Sequence, residues 1–177
     1  MVTNISAKDI NISSGVILNI RPHVVEPDPG LNIKRPSWDE YFLKIALDVS
    51  RRSTCLRRSY GAVITKDNII ISTGYNGAPR GETHCTDSLI CVREELNIPK
   101  GERYELCVAV HAECNAIINA DPEKLHGSTI YIAGYEYGTT DLADGAPCKM
   151  CSRMIKNARI ARVVYYLPDG TIKSINP

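Results

Sequence analysis

His111, Glu113 and Cys114 stand close together in the largely apolar run CVAVHAECNAII, residues 107–118. Polar groups in such a segment cost free energy unless something uses them. A second run supplies the use. PCKMC, residues 147–151, sets Cys148 and Cys151 at Cys-x-x-Cys spacing at the predicted start of a helix, where both thiolates can face one ion. His111, Cys148 and Cys151 make three protein ligands and leave a fourth position for water, the arrangement of a catalytic zinc site. Glu113 would then stand beside that water and move protons rather than ligate. A second reading uses the same residues. His111 and Cys114 lie three apart on one helical face, and with Cys148 and Cys151 they make a closed Cys₃His site of purely structural use. Only the closed site needs Cys114. A Cys-x-x-Cys redox pair is a third reading, and it leaves His111 and Glu113 without a task.

These residues need elements to hold them. RPSWDEYFLKIALDVSRRS reads as a helix, opened by a Ser37/Glu40 capping box after Pro36, with Tyr41, Ile45, Ala46 and Val49 at helical spacing. GAVITKDNIIISTGY reads as a hairpin turning at Lys66-Asp67-Asn68. From Asn76 to about Glu105 follows a long irregular stretch, and a loop of that length inside a domain is usually functional or stapled. AVHAECNAIINA predicts the second helix and STIYIAGY the third strand. EYGTTDLADGA reads as an exposed excursion. CKMCSRMIKNA predicts the third helix, with Met150, Met154 and Ile155 on its apolar side. ARVVYYL is a fourth strand, and GTIKSI a short final one. The order β-β-α-β-α-β argues for an α/β layered sandwich, with helices on both faces of a mixed sheet. Residues 1–35 read as an N-terminal extension without an assigned role, with a short strand in GVILNIRPHVV and a turn at EPDPG; residues 36–177 read as the working domain.

The composition narrows the partners. The chain has 177 residues, 44% hydrophobic and 23% charged, which suits one soluble domain with a sizeable core. Twenty-one basic residues against 20 acidic ones leave a net charge of +1, so nothing electrostatic argues for nucleic acid or a membrane surface. No apolar run is long enough to span a bilayer, and MVTNISAKDINISSG does not have the form of a signal peptide. A cytoplasmic location is the expectation. Seven cysteines in a reducing compartment point to metal or chemistry more than to disulfides. Cys55, Cys85, Cys91 and Cys107 stand apart from the first set, and four thiolates suit a closed tetrahedral zinc that staples the long loop. The alternative is four ordinary buried thiols.

His-x-Glu followed by Pro-Cys-x-x-Cys is the signature of zinc deaminases. HAECNAI and APCKMC resemble the cytidine deaminase superfamily. RPSWDEYFLKIA, RRSTCLRRSYGAVI and STGYNGAPRG, together with HAECNAI, resemble its deoxycytidylate (dCMP) deaminase branch over roughly residues 35–166. The resemblance implies a three-layer α/β/α fold, a homo-oligomer, and conversion of dCMP to dUMP, a small pyrimidine nucleotide substrate. It implies zinc on His111, Cys148 and Cys151, with Glu113 as proton shuttle and the backbone around Ala112 and Pro147 beside the base. Asn76 of GYNG becomes a contact to sugar or base, and Tyr75 and Arg80 rim residues. Cys55 and Cys85 match a second, structural zinc of some members; Cys91 and Cys107 match less closely, and His84 is a rival ligand. Family members can be activated by dCTP and inhibited by dTTP. Two features depart from the pattern. Glu136–Ala146 intervenes where much of the family reaches its Pro-Cys motif within a few residues, and the sequence stops at Pro177, where many relatives continue. Both bear on substrate identity and regulation, which leaves open a deaminase for another nucleoside or base, or a non-catalytic module on the same scaffold.

Overall fold

The computed structural model describes residues 34–99 and 101–177; the strand and turn expected in residues 15–30 lie outside them. In chain order the elements are α1 (Trp38–Ser50), β1 (Arg58–Lys66), β2 (Ile69–Tyr75), α2 (Cys85–Ser88), α3 (Val92–Glu95), a 3-10 turn (Tyr104–Leu106), α4 (Ala112–Asn119), α5 (Pro122–Leu125), β3 (Thr129–Glu136), α6 (Lys149–Asn157), β4 (Arg162–Tyr166) and β5 (Ile172–Ile175).

Local chemistry sets the boundaries. The Ser37 hydroxyl accepts from the Glu40 N–H at 3.2 Å and the Glu40 carboxylate accepts from the Ser37 N–H at 2.7 Å, the reciprocal cap expected for α1. Asp67 and Asn68 both take left-handed backbone, φ 51° and 60°, which is what a two-residue hairpin turn requires. Pro122 sits in the first turn of α5 behind the Asp121 cap.

The sheet order is β2-β1-β3-β4-β5. β1 is antiparallel to β2 and to β3, β3 is parallel to β4, and β4 is antiparallel to β5. Strand alternation divides the core in two. Val63, Tyr131, Ala133 and Val164 face α1 through Phe42, Leu43 and Ala46. Ala62, Ile64, Ile130, Ile132 and Val163 face the opposite layer through Ala112, Ala116 and Ile155. A mixed sheet between two helical layers is the expected three-layer α/β/α sandwich. The buried stripe of α1 is rotated from its predicted place: Phe42, Leu43, Ala46 and Ser50 are buried, while Tyr41 is exposed. Trp38 and Phe42 stack, and Phe42 packs on Tyr131, so the aromatic contact with the sheet comes from one residue further along.

Two close approaches place the helix that begins beside His111. A Cβ on Gly74 would lie 2.4 Å from the Ala112 carbonyl oxygen and 2.3 Å from the Ala116 nitrogen, so β2 runs directly beneath α4. A Cβ on Gly77 would lie 2.4 Å from Thr54 Oγ1. Gly74 is required by the nearby helix backbone, and Gly77 leaves room for the Thr54 side chain. Ser72 Oγ donates to the Ala116 carbonyl at 2.6 Å, a second tie between β2 and α4. On the outer side of this edge strand, the Asn115 amide donates to the Tyr75 carbonyl at 2.7 Å and the Asn119 amide to the Thr73 carbonyl at 3.2 Å.

The stretch 136–146 is exposed, as expected, at residues 137–141 and Ala146, but its second half folds back on the sheet. Glu136 N–H donates to the Asp141 carbonyl and Ala143 N–H to the Gly134 carbonyl, so the chain doubles back along the end of β3, and Ala143 and Gly145 are buried. The long loop after β2 holds α2, α3 and the 3-10 turn, none of which was predicted.

Candidate functional site

Two helix starts converge. His111 is the N-cap of α4 and Cys148 the N-cap of α6, with Cys151 one turn along. Both positive helix ends therefore aim at the same spot, where they favour thiolate over thiol. His111 Nδ1 lies 3.3 Å from Cys151 Sγ and 3.6 Å from Cys148 Sγ. The Cys151 N–H donates to Cys148 Sγ at 3.5 Å. The three ligand atoms lie within 4.8 Å of one another, the one such group of three or more among the described residues. Ligands bound at zinc–nitrogen and zinc–sulfur lengths around a tetrahedral ion stand roughly 3.5 Å apart, so this His/Cys/Cys set fits zinc.

Cys114 is outside that group. Its Sγ lies 3.7 Å from Cys151 Sγ and 3.2 Å from Met154 Sδ, a buried thiol in the packing between α4 and α6. The geometry thus favours three protein ligands over a closed Cys₃His set. Hydrogen bonds from Cys151 and then His111 hold the Cys148 thiol down at about 3. The hydrogen bond to Cys148 pushes the His111 imidazole up.

Glu113 is 6% exposed, and burial pushes its carboxyl above the ordinary range. It lines one cavity of about 810 Å³ together with His111, Ala112 and Cys148. Asn76, Tyr60 and Ile132 form one wall, and Asp144 to Pro147 another. The doubled-back stretch thus supplies part of the site. Tyr60 anchors it: its hydroxyl donates to the Asp144 carbonyl at 2.7 Å, and burial pushes the phenol up.

The other predicted residues fall differently. Ala112, Pro147 and Asn76 line the cavity. The Asn76 side chain is committed to β1, accepting from the Tyr60 N–H at 2.8 Å and donating to the Arg58 carbonyl at 2.8 Å. Tyr75 and Arg80 are not among the lining residues, and Arg52 lies over the Tyr75 ring at 6.0 Å. Cys55, Cys85, Cys91 and Cys107 all line the cavity. Burial, then the charges of Cys55, Cys91 and Cys107, push the Cys85 thiol up, so the four share one neighbourhood. Their sulfurs are not drawn to the spacing of the first cluster. His84 Nδ1 is buried and has no hydrogen-bond partner.

Sequence reading missed Tyr60, Tyr104 and Arg93. The Tyr104 ring meets the His111 ring edge to face, centroids 4.8 Å apart, and Arg93 lies over the Tyr104 ring at 4.6 Å. Tyr60 lies on β1 within RRSTCLRRSYGAVI. No motif marks Tyr104 or Arg93, whose one available signal was their position in a long loop rich in cysteine.

Comparison with known proteins agrees with this geometry. A family described as "Cytidine and deoxycytidylate deaminase zinc-binding region" matches residues 36–167. The chain is 41% identical over 138 residues to the deoxycytidylate deaminase of Mycobacterium phage D29, covering 75% of this chain and 97% of that one. It is 36% identical over 132 residues to the deoxycytidylate deaminase of Schizosaccharomyces pombe, covering 75% of this chain and 38% of the longer yeast protein. The dCMP deaminase of the cyanophage S-TIM5, solved in complex with dCMP and dUMP, superposes with a TM-score of 0.52 at 27% identity, covering 77% of this chain and 89% of that one. With the signature residues gathered at two converging helix starts and three quarters of its length matched, the chain belongs to the cytidine and deoxycytidylate deaminase family.

Proposed function

We propose that this protein hydrolyses dCMP to dUMP and ammonia, with His111, Cys148 and Cys151 holding zinc and Glu113 carrying protons. The observation that supports it most is the placement of Glu113, buried, on the first turn of the helix whose cap is His111, facing the same cavity. A zinc ion in this cradle supplies Lewis acidity that makes a water nucleophilic near neutral pH. Atoms balance simply: the water oxygen bonds to C4 of the pyrimidine, and the C4–amine bond breaks. Glu113 takes one proton from the water and delivers it to N3, then takes the remaining proton of the added hydroxyl and passes it to the departing amine, which leaves as ammonia. Burial suits the task, because a carboxyl shifted upward holds the proton between the two transfers. The Ala112 and Pro147 backbones border the ring. Asn76 stands where it can meet the sugar while keeping β1 and β2 in register.

The finer elements belong to the same proposal. A second, structural zinc on Cys55, Cys85, Cys91 and Cys107 is supported by their common neighbourhood, with His84 and its unpartnered Nδ1 as the rival fourth ligand. A homo-oligomer regulated by dCTP and dTTP rests on the resemblance alone, and a cytoplasmic location on the sequence expectation. No helix among the described residues is long and apolar enough to cross a membrane. The test is ammonia release from the zinc-loaded protein given dCMP, CMP, deoxycytidine or dCTP in parallel. Release favouring dCMP is expected. No release from any of the four, with zinc bound and the fold intact, would overturn the reading.

A further inference from the structure

Arg93 is 7% exposed, yet no carboxylate among the described residues pairs with it. Its Nη2 donates to the Pro99 and Glu102 carbonyls, both at 2.8 Å, and its Nε is buried without an acceptor. Burying a guanidinium with only neutral acceptors is costly. Of the other arginines of the cavity, Arg57 pairs with Glu94 and Arg58 with Glu136, and Arg153 is exposed to solvent, so Arg93 is the buried one without a carboxylate among the described residues. Arg93 therefore stands as a desolvated cation in the wall of the cavity, one aromatic ring away from His111. A substrate seated at His111 and carrying an anionic group has that group's counter-charge waiting there, at the distance of a ring and its contacts.

We propose that Arg93 is the specificity determinant for the phosphate, the fixed cation that makes this cavity take a nucleoside monophosphate in preference to the bare nucleoside. The inference rests on the deaminase reading above and adds a residue to it. A planar guanidinium braced by two carbonyls and the Tyr104 face presents its remaining N–H groups in fixed directions, as phosphate recognition requires. Keeping such a charge buried and free of carboxylates leaves its binding energy for the ligand.

Two readouts test it in the full zinc-loaded chain. The first is kcat/KM on dCMP and on deoxycytidine for the wild type, Arg93→Gln and Arg93→Lys. The second is binding of the products dUMP and deoxyuridine by calorimetry, which needs no turnover. In Arg93→Gln the preference for dCMP over deoxycytidine should fall about ten- to hundredfold, the range of lost charge-assisted hydrogen bonds. The nucleoside rate should hold, and Arg93→Lys should recover part of the loss. Binding of dUMP should weaken by a similar factor and that of deoxyuridine should not move. Inorganic phosphate should compete with dUMP on the wild type and not on Arg93→Gln. Equal losses on nucleotide and nucleoside would show that Arg93 only braces the loop, and would overturn the proposal. So would an unchanged preference. A wild type that turns over nothing but still binds dUMP through Arg93 would sink the deaminase reading and keep this one. Should Arg93→Gln lose its zinc or its fold, Arg93→Lys and the phosphate competition decide.

Discussion

Gly74 lies so close under the first turn of α4 that a methyl group on it would stand 2.4 Å from the Ala112 carbonyl oxygen. The glycine of an edge strand thereby sets where His111 and Glu113 begin. Gly74→Ala must push helix from strand, since the contact is backbone on both sides. Overpacking of this kind costs about 1–3 kcal/mol. The expected result is a lower Tm together with weakened zinc affinity in a chelator competition. Unchanged zinc affinity would show that α4 is positioned from elsewhere.

Glu113→Gln keeps the shape of the side chain and removes its proton chemistry. Ammonia release should fall by at least about 10²-fold, the usual contribution of a general acid–base. Metal analysis should find zinc retained, because Glu113 is outside the ligand group. Loss of zinc along with activity would make Glu113 a structural partner of the ion.

Cys114 and Cys148 should behave oppositely. Cys114→Ser keeps a small group between α4 and α6 and should retain the zinc with a modest loss of stability, since only its contacts to Cys151 and Met154 change. Cys148→Ser removes a ligand and should leave the site empty after dialysis. Equal zinc loss in both variants would establish the closed four-ligand site.

Zinc stoichiometry tests the loop cysteines. Two ions per chain are expected by elemental analysis, falling to one in Cys91→Ser with the catalytic ion in place. One ion per chain in the wild type would leave Cys55, Cys85, Cys91 and Cys107 as packing thiols.

The Asp39–Arg162 pair should make the fold sensitive to acid. Arg162 donates to both carboxylate oxygens, at 2.8 and 2.6 Å, and Tyr131 adds a third bond at 3.1 Å. The bond to Arg162 holds the Asp39 carboxyl below its ordinary range. A depressed folded pKa contributes stability above the unfolded value, about 4, and that contribution is lost as pH falls through the folded value. Both partners are partly exposed, so its size is about 1 kcal/mol. Urea midpoints for Asp39→Asn should lie below the wild type at neutral pH and converge with it as pH falls through the folded value of Asp39. A gap that persists in acid would assign the effect to packing.

Much of this was readable before any coordinates. The capping box of α1, the hairpin at Asp67-Asn68 and the apolar strands β1, β3 and β4 follow from short-range chemistry. His111, Glu113, Cys148 and Cys151 were recognisable by type and spacing, and the fold brings the three ligand atoms within 4.8 Å of one another, with Glu113 on the cavity beside them. What escaped was either too short or too long in range. α2, α3 and α5 are four residues each, and no periodicity shows in four residues. The α1 face was misread because Tyr41 and Phe42 are adjacent aromatics, and only the sheet decides which turns inward. Arg93 and Tyr104 reach the site through the tertiary path of a loop. Asp144 and Gly145 reach it through a doubled-back strand end that resembles an ordinary polar excursion.

The Asn115 and Asn119 amides cover the outward carbonyls of Tyr75 and Thr73. An open strand edge invites another chain to add itself, and here that invitation is withdrawn by side chains one turn apart on α4. The helix that follows His111 is thus also a guard against fibrous self-association. Damage that frays it would cost the protein its solubility along with its chemistry.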